Sequence, residues 1–188
     1  MGITTELLMV ADSDLDVLIR KPKNARAFVK KHWGDGAPAN RSFGIKGISS
    51  EVDYVLCRGN RAEASCLGFL QADETIVGKV KRVRRTKIHG ETVKWNEYDT
   101  EKDFEYGPPS ALRSPRVAEI NLAFAPVDDE WVRLAYKIDD LTSESERERL
   151  TAADYDQRIQ LCQVCVRGLK AFITRTANAQ MGLFRFTW

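Results

Sequence analysis

A chain of 188 residues, 43% hydrophobic and 30% charged, has the make-up of an ordinary globular domain and is far from that of a disordered tail. A formal net charge of +2 exerts no overall pull toward nucleic acid or membrane, although the first 98 residues carry 17 Lys/Arg against 12 Asp/Glu and the remainder 12 against 15. No run approaches the roughly 18 uncharged apolar residues of a membrane span, and the opening MGITTELLMVADSD has no basic region before its apolar stretch, so it does not read as a secretory signal. The four cysteines lie in apolar contexts, which predicts reduced thiols in a cytoplasm.

In chain order, Ile3 to Val10 is a β-compatible run. Asp12 or Ser13 is placed to cap a helix, with Ser13 and Asp16 as a loose capping box and Leu15, Leu18 and Ile19 on its apolar face. Pro22 ends it. Asn24 to Trp33 predicts a second short helix with Phe28, Val29 and Trp33 inward, and Gly34 to Asn40 a loop. Ser50 to Leu56 predicts a short helix with Val52, Val55 and Leu56 inward, closed by Gly59. Ala64 to Leu70 fits either a buried strand or a helical turn.

Thr75 to Tyr98 contains two β-rich runs on either side of His89-Gly90, the pattern of a hairpin in which glycine supplies a positive φ. Its first arm, KVKRVRRTK, has basic residues on both faces, so it should project from the body or lie at an edge. Asn96 to Tyr106 then alternates strictly: Glu97, Asp99, Glu101, Asp103 and Glu105 on one parity, Tyr98, Thr100, Lys102, Phe104 and Tyr106 on the other. Gly107-Pro108-Pro109 breaks the chain. Ser114-Pro115 opens a helix to about Phe124. Pro126 opens another, with Asp128, Asp129 and Glu130 in its first turn and Val127, Trp131, Leu134 and Ala135 as its stripe. Asp139 to Arg149 is polar.

From Thr151 onward, Ile159, Cys162, Cys165, Val166, Leu169, Phe172 and Ile173 recur at three- and four-residue spacing, the stripe of one long helix. Asn178 or Gly182 stops it, and Met181 to Trp188 follows as a strand. Strands at both ends around a helical middle predict an α+β single domain over residues 1–188. Ile3–Val10 and Gly182–Trp188 should share a small sheet packed on the long helix, with a charged β-hairpin as an excursion at about 75–106.

Two segments, YGPPSALRSPRVAEINLAFAPVDDEWVRLAY and GLKAFITRTANAQMGLFRF, together with the opening MGITTELLMVADSDLDVLI, carry a further signal. The order of a strand and helix, a Gly-Pro turn into a helix, a second short helix, and a long helix ending in a strand resembles the YfbM-like family of small bacterial proteins of unknown function. The resemblance covers residues 1–20 and 106–188. In the stretch Gly44 to Leu56, Ile48 and Ser49 stand where many members have an aromatic residue and a histidine, so no role of that pair carries over. The resemblance implies a fold and no activity.

Candidate chemistry is sparse. Cys162-x-x-Cys165 lies mid-helix on the apolar stripe, where buried thiols are the expected reading; a metal knuckle or redox pair belongs on a turn or a helix N-terminus. His32 and His89 belong to no nucleophile–base arrangement. The acidic ladder matches no calcium loop. No cofactor and no metal site are assigned. The distinctive surface is the hairpin, where Lys79, Lys81, Arg82, Arg84, Arg85, Lys87 and Lys94 face a single acid, Glu91, within residues 79–94, with Trp95 beside them. The leading reading is a non-catalytic binding or protein-interaction module whose candidate contact surface is the charged hairpin, with Lys79, Lys81, Arg82, Arg84, Arg85, Lys87 and Trp95, together with the acidic segment that follows it. One alternative is an enzyme acting on a small molecule, with a carboxylate-based site near residues 106–115 that includes Tyr106 and Arg113. The other is nucleic-acid binding through the hairpin, where Lys/Arg neutralise phosphates and Trp95 stacks. No membrane partner is expected.

Overall fold

The computed structural model describes residues 4–33, 40–47, 49–57, 74–77, 80–88, 91–98, 104, 109–137 and 149–187. Strand β1 (Thr4–Val10) leads into helix α1 (Asp12–Arg20), a 3₁₀ turn (Pro22–Asn24) and α2 (Ala25–His32). Strand β2 (Ser42–Lys46), α3 (Ser49–Leu56) and the short β3 (Glu74–Thr75) follow, then the ribbon strands β4 (Val80–Ile88) and β5 (Glu91–Tyr98). The second half contains β6 (Ser110–Leu112), α4 (Ser114–Ala123), α5 (Asp129–Ala135), α6 (Ala152–Asn178) and β7 (Gly182–Thr187).

The two ends of the chain meet at the centre of a five-stranded antiparallel sheet of order β2-β1-β7-β6-β3. The β1–β7 register runs from Thr5↔Thr187 to Val10↔Gly182, the pairing predicted from the sequence. Because side chains alternate along each strand, the sheet has two buried faces. Leu7, Ile45, Leu112 and Leu183 pack on one side against Val166, Leu169, Phe172 and Ile173 of α6 and against α3, α4 and α5. Leu8, Val10, Ala111, Phe184 and Phe186 pack on the other against Leu15 and Leu18 of α1 and Ala25 and Val29 of α2. The architecture is therefore α+β with helices on both faces of the sheet.

Helix α6 has 27 residues, about 40 Å at about 1.5 Å per residue. Its start is a full capping box: Thr151 Oγ1 accepts from the Asp154 N–H, and the Asp154 carboxylate accepts from the Thr151 N–H at 2.9 Å. It ends at Asn178, and Gln180 takes the left-handed conformation with φ 54°. Gly182 serves a different purpose. A Cβ there would come within 2.6 Å of the Leu112 carbonyl oxygen and 2.7 Å of Asp12 Oδ1, so only glycine lets β7 start against that junction.

Several local expectations are corrected. Helix α1 has Ala11 at its N-cap and no side-chain cap, so neither Asp12 nor the Ser13–Asp16 pair closes it. Asp12 instead caps α4, accepting from the Ser114 N–H at 3.0 Å and from its hydroxyl at 2.7 Å. Ser114 is the first residue of α4 and Arg113 holds its N-cap position. Asp128 caps α5, accepting from the Trp131 N–H at 2.7 Å. Of the expected stripe, Val127 is buried and Trp131 and Ala135 pack half-buried against the core, but Leu134 is 66% exposed and Val132 is the buried residue of the helix. Cys165 is only partly buried. Strands β2, β3 and β6 have two to five residues and were not anticipated.

The Gly34–Asn40 loop up to residue 39, Gly59, the Ala64–Leu70 stretch with Cys66, Lys79, His89-Gly90, Asp99 to Asp103, Glu105, Tyr106 to Pro108, residues 139–148 and Trp188 lie outside the described residues.

Candidate interaction surface

The two β-rich runs form the expected hairpin. Strands β4 and β5 pair antiparallel from Val80↔Tyr98 to Ile88↔Glu91, with an irregularity between Val80 and Arg82 and an unbroken ladder from Arg82↔Glu97 onward. They constitute their own two-stranded sheet; among the described residues no strand of the main sheet pairs with them. Arg84 is opposite Trp95, Arg85 opposite Lys94 and Lys87 opposite Thr92. Val83 is 54% exposed and Arg85 is exposed. The structure thus places Lys81, Arg82, Arg84, Arg85, Lys87 and Trp95 on one ribbon; Lys79 precedes its described part. Farther along the acidic segment, Phe104 is 2% exposed and packs against Phe186, with ring centroids 5.8 Å apart.

The second predicted location has a different character. Arg113 Nε donates to Glu74 Oε1 at 2.9 Å, and Nη1 donates to Asp16 Oδ1 at 2.7 Å and to the Asp12 carbonyl at 3.4 Å. The Glu74 carboxylate, then that of Asp16, raises the guanidinium's already high pKa. Arg113 therefore ties α1 and β3 to the start of α4. Tyr106, its proposed companion, is outside the described residues.

Of the described cysteines, Cys57 at the end of α3 and Cys162 on α6 are buried, and Cys165, one turn on from Cys162, is half-buried. Burial pushes the Cys162 thiol up to about 12 and the Cys165 thiol up to about 11, the opposite of the lowered pKa a nucleophilic or redox thiol needs. Cys57, Cys162 and Cys165 are thiols, in no disulfide among the described residues. The His32 ring lies against Phe28, with centroids 4.4 Å apart. Among the described residues no group of three or more His, Cys, Asp or Glu is arranged to hold a metal ion, and no helix is long and apolar enough to cross a membrane.

The structure also reveals a buried charge and a half-buried one that sequence reasoning missed. Glu6, 6% exposed, lies on the α1–α2 face of β1. Burial raises its carboxyl above the usual carboxylate range, opposed by a hydrogen bond from the Trp33 side chain and the charge of Lys46. Gly44 on the neighbouring strand makes the room, since a Cβ there would come within 2.8 Å of Glu6 Oε1. On the opposite face, burial lowers the Arg185 pKa and the charge of Asp53 on α3 opposes that shift. Ser110, paired with Arg185 across the β6–β7 ladder, has a buried hydroxyl with no hydrogen-bond partner among the described residues. Burial pushes the Tyr136 phenol up to about 12. A signal for two of these was present: Glu6 and Arg185 are single charges inside the otherwise uncharged strands TTELLMV and GLFRFT.

Two clefts border α5. One, of about 350 Å³, is lined by Trp131, Leu134, Ala135 and Lys137. The other is lined by residues that include Asp129, Arg167 and Lys170. Arg167 pairs with Asp129, and Lys170 donates to the carbonyls of Ala125 and Val127 at 3.0 and 2.8 Å, so these cations already secure the α4–α5 turn to α6.

No family model matches the chain, and no curated protein does. Its fold is similar to that of the crystal structure of YfbM from Escherichia coli, a protein of unknown function, with a TM-score of 0.61 over 98% of this chain and 99% of that one. Identity is 10%, so the likeness establishes the fold and leaves activity open.

Proposed function

We propose that this chain is a non-catalytic binding module of the YfbM-like type, one domain working in the cytoplasm, and that it contacts a protein partner through the β4–β5 ribbon. Lys79, Lys81, Arg82, Arg84, Arg85, Lys87 and Trp95 are the contact residues of this reading. The observation that carries it is the ribbon itself: a separate two-stranded sheet that includes the exposed Val83 and Arg85. A ribbon with cations on both parities has no apolar face to bury in its own core. Two further observations favour binding over catalysis. Arg113, the described one of the two residues named for the alternative site, is committed to Glu74 and Asp16, and burial holds the thiol pair far from its reactive form.

The test is affinity capture from the host's lysate, with and without nuclease, using the wild-type chain and an Arg82→Gln/Arg84→Gln/Arg85→Gln variant. A stoichiometric protein that survives nuclease and is lost with the variant is the expected result. Equal capture by the variant would overturn the assignment of the surface, and capture abolished by nuclease would transfer it to nucleic acid.

A further inference from the structure

We infer that the partner of the ribbon is an acidic, extended peptide segment that adds as a third strand along the outer edge of β4. The inference rests on the ribbon being the contact surface and goes on to name its occupant.

The charge on the ribbon is divided between its strands. Strand β4 carries Lys81, Arg82, Arg84, Arg85 and Lys87 and no acid, whereas β5 carries Glu91 and Glu97 against Lys94. The basic charge therefore runs along one strand, and among the described residues that strand pairs only with β5. Its outer side is a row of backbone donors and acceptors about 30 Å long at about 3.3 Å per residue. Such an edge accepts an added strand, with backbone bonds supplying affinity and the side chains selecting the sequence.

The side chains select for acid. Arg82 and Arg84 fall on one parity and Arg85 on the other with Lys87. An added strand meets cations on both of its faces, so acidic residues at either parity gain an opposite charge across the ladder. A second copy of β4 would set cation against cation, the usual protection of an edge against self-association. A nucleic acid that embraced the ribbon would bring phosphates up to Glu91 and Glu97, one strand spacing of about 5 Å from β4. An added peptide meets β4 first. The irregularity between Val80 and Arg82 sets the length: the regular ladder spans Arg82 to Ile88, so the occupant pairs over about seven residues.

The experiment is fluorescence anisotropy of the full chain with dye-labelled ten-residue peptides of alternating Glu-Thr, Gln-Thr and Lys-Thr. It includes a Glu-Thr peptide methylated at two adjacent central amide nitrogens, which blocks both of its edges, and a single-stranded DNA of equal charge. Binding of Glu-Thr alone among the unmethylated peptides is expected, weakened about tenfold or more by methylation and by an Arg84→Glu/Arg85→Glu variant whose urea midpoint matches wild type. Equal affinity for the methylated peptide would overturn strand addition, because simple charge attraction needs no amide hydrogens. Tighter binding of the DNA, or of the Gln-Thr or Lys-Thr peptide, would overturn the acidic-peptide assignment. If the lysate partner depends on Arg82, Arg84 and Arg85 while no Glu-Thr peptide binds, this inference falls and the contact surface stands. If neither is observed, both fall.

Discussion

The five-stranded sheet and the β4–β5 ribbon use the same antiparallel ladder and treat charge in opposite ways. In the sheet the buried Glu6 has the Trp33 side chain and Lys46 as compensation, and the half-buried Arg185 has Asp53. At its margin Arg113 has Glu74 and Asp16. In the ribbon five cations follow one another along nine residues of β4. The difference teaches what a strand's company does to its residue choice. A strand covered on both faces can hold a charge only where a partner offsets the loss of water. A strand in a separate ribbon with cations on both parities follows a different rule, and the proposed contact surface rests on that difference.

Breaking the covered region should show the largest effect. Phe172 of α6 is fully buried and stacks on Phe43, with centroids 5.8 Å apart. Phe172→Ala should cost about 3–5 kcal/mol, read as a lower urea midpoint. Gly182→Ala comes next, at about 1–3 kcal/mol, because the new methyl meets a backbone carbonyl that cannot rotate away. Arg113→Ala removes two ion pairs whose side chains keep between 29% and 47% of their exposure. Water and salt screen them, so the loss should be about 1 kcal/mol and should shrink in high salt during thermal melts.

Glu6 gives a change of sign with pH. Its folded-state carboxyl is raised above the ordinary 4.5. The folded form therefore binds the proton more tightly than the unfolded form does, and the stability linked to it is complete below that value. It is lost as pH rises through the raised value. Glu6→Gln keeps an oxygen to accept from Trp33 and cannot ionise, so its urea midpoint should gain on wild type between about pH 4 and about pH 8. A constant difference across that range would mean that Glu6 stays ionised in the fold. The smallest effect on stability belongs to the ribbon. Arg82→Gln, Arg84→Gln and Arg85→Gln should each stay within about 0.5 kcal/mol of wild type in urea while partner capture is lost, which separates the two regions cleanly.

Chain order and hydrophobic period by themselves determined the long C-terminal helix with its Thr151 start, the β1–β7 meeting of the two ends and the hairpin around residues 89–90. Each of these rests on local patterns long enough to outweigh the alternatives: a stripe repeated from Ile159 to Ile173, two apolar termini, and two β-rich runs on either side of the His89-Gly90 dipeptide. What only the tertiary structure decided lies at shorter range in the chain and longer range in space. Strands β2, β3 and β6 are too brief to show a period, and they extend because a neighbour presents an edge to join: β1 for β2, β7 for β6, and β6 in turn for β3. Asp12 is a good cap in sequence and caps the wrong helix for its position, since Ser114 is brought to it across 102 residues. On α5 the layer of α3 and α6 packed against it decided that Val132 is buried and Leu134 exposed. Arg113, a candidate site residue from the sequence, is in the fold a tie held by Glu74 and Asp16. Glu6 and Arg185 were visible as odd charges in apolar strands, but whether such a charge faces water or a buried partner depends on the layer folded over it, and that is a property of the assembled sheet.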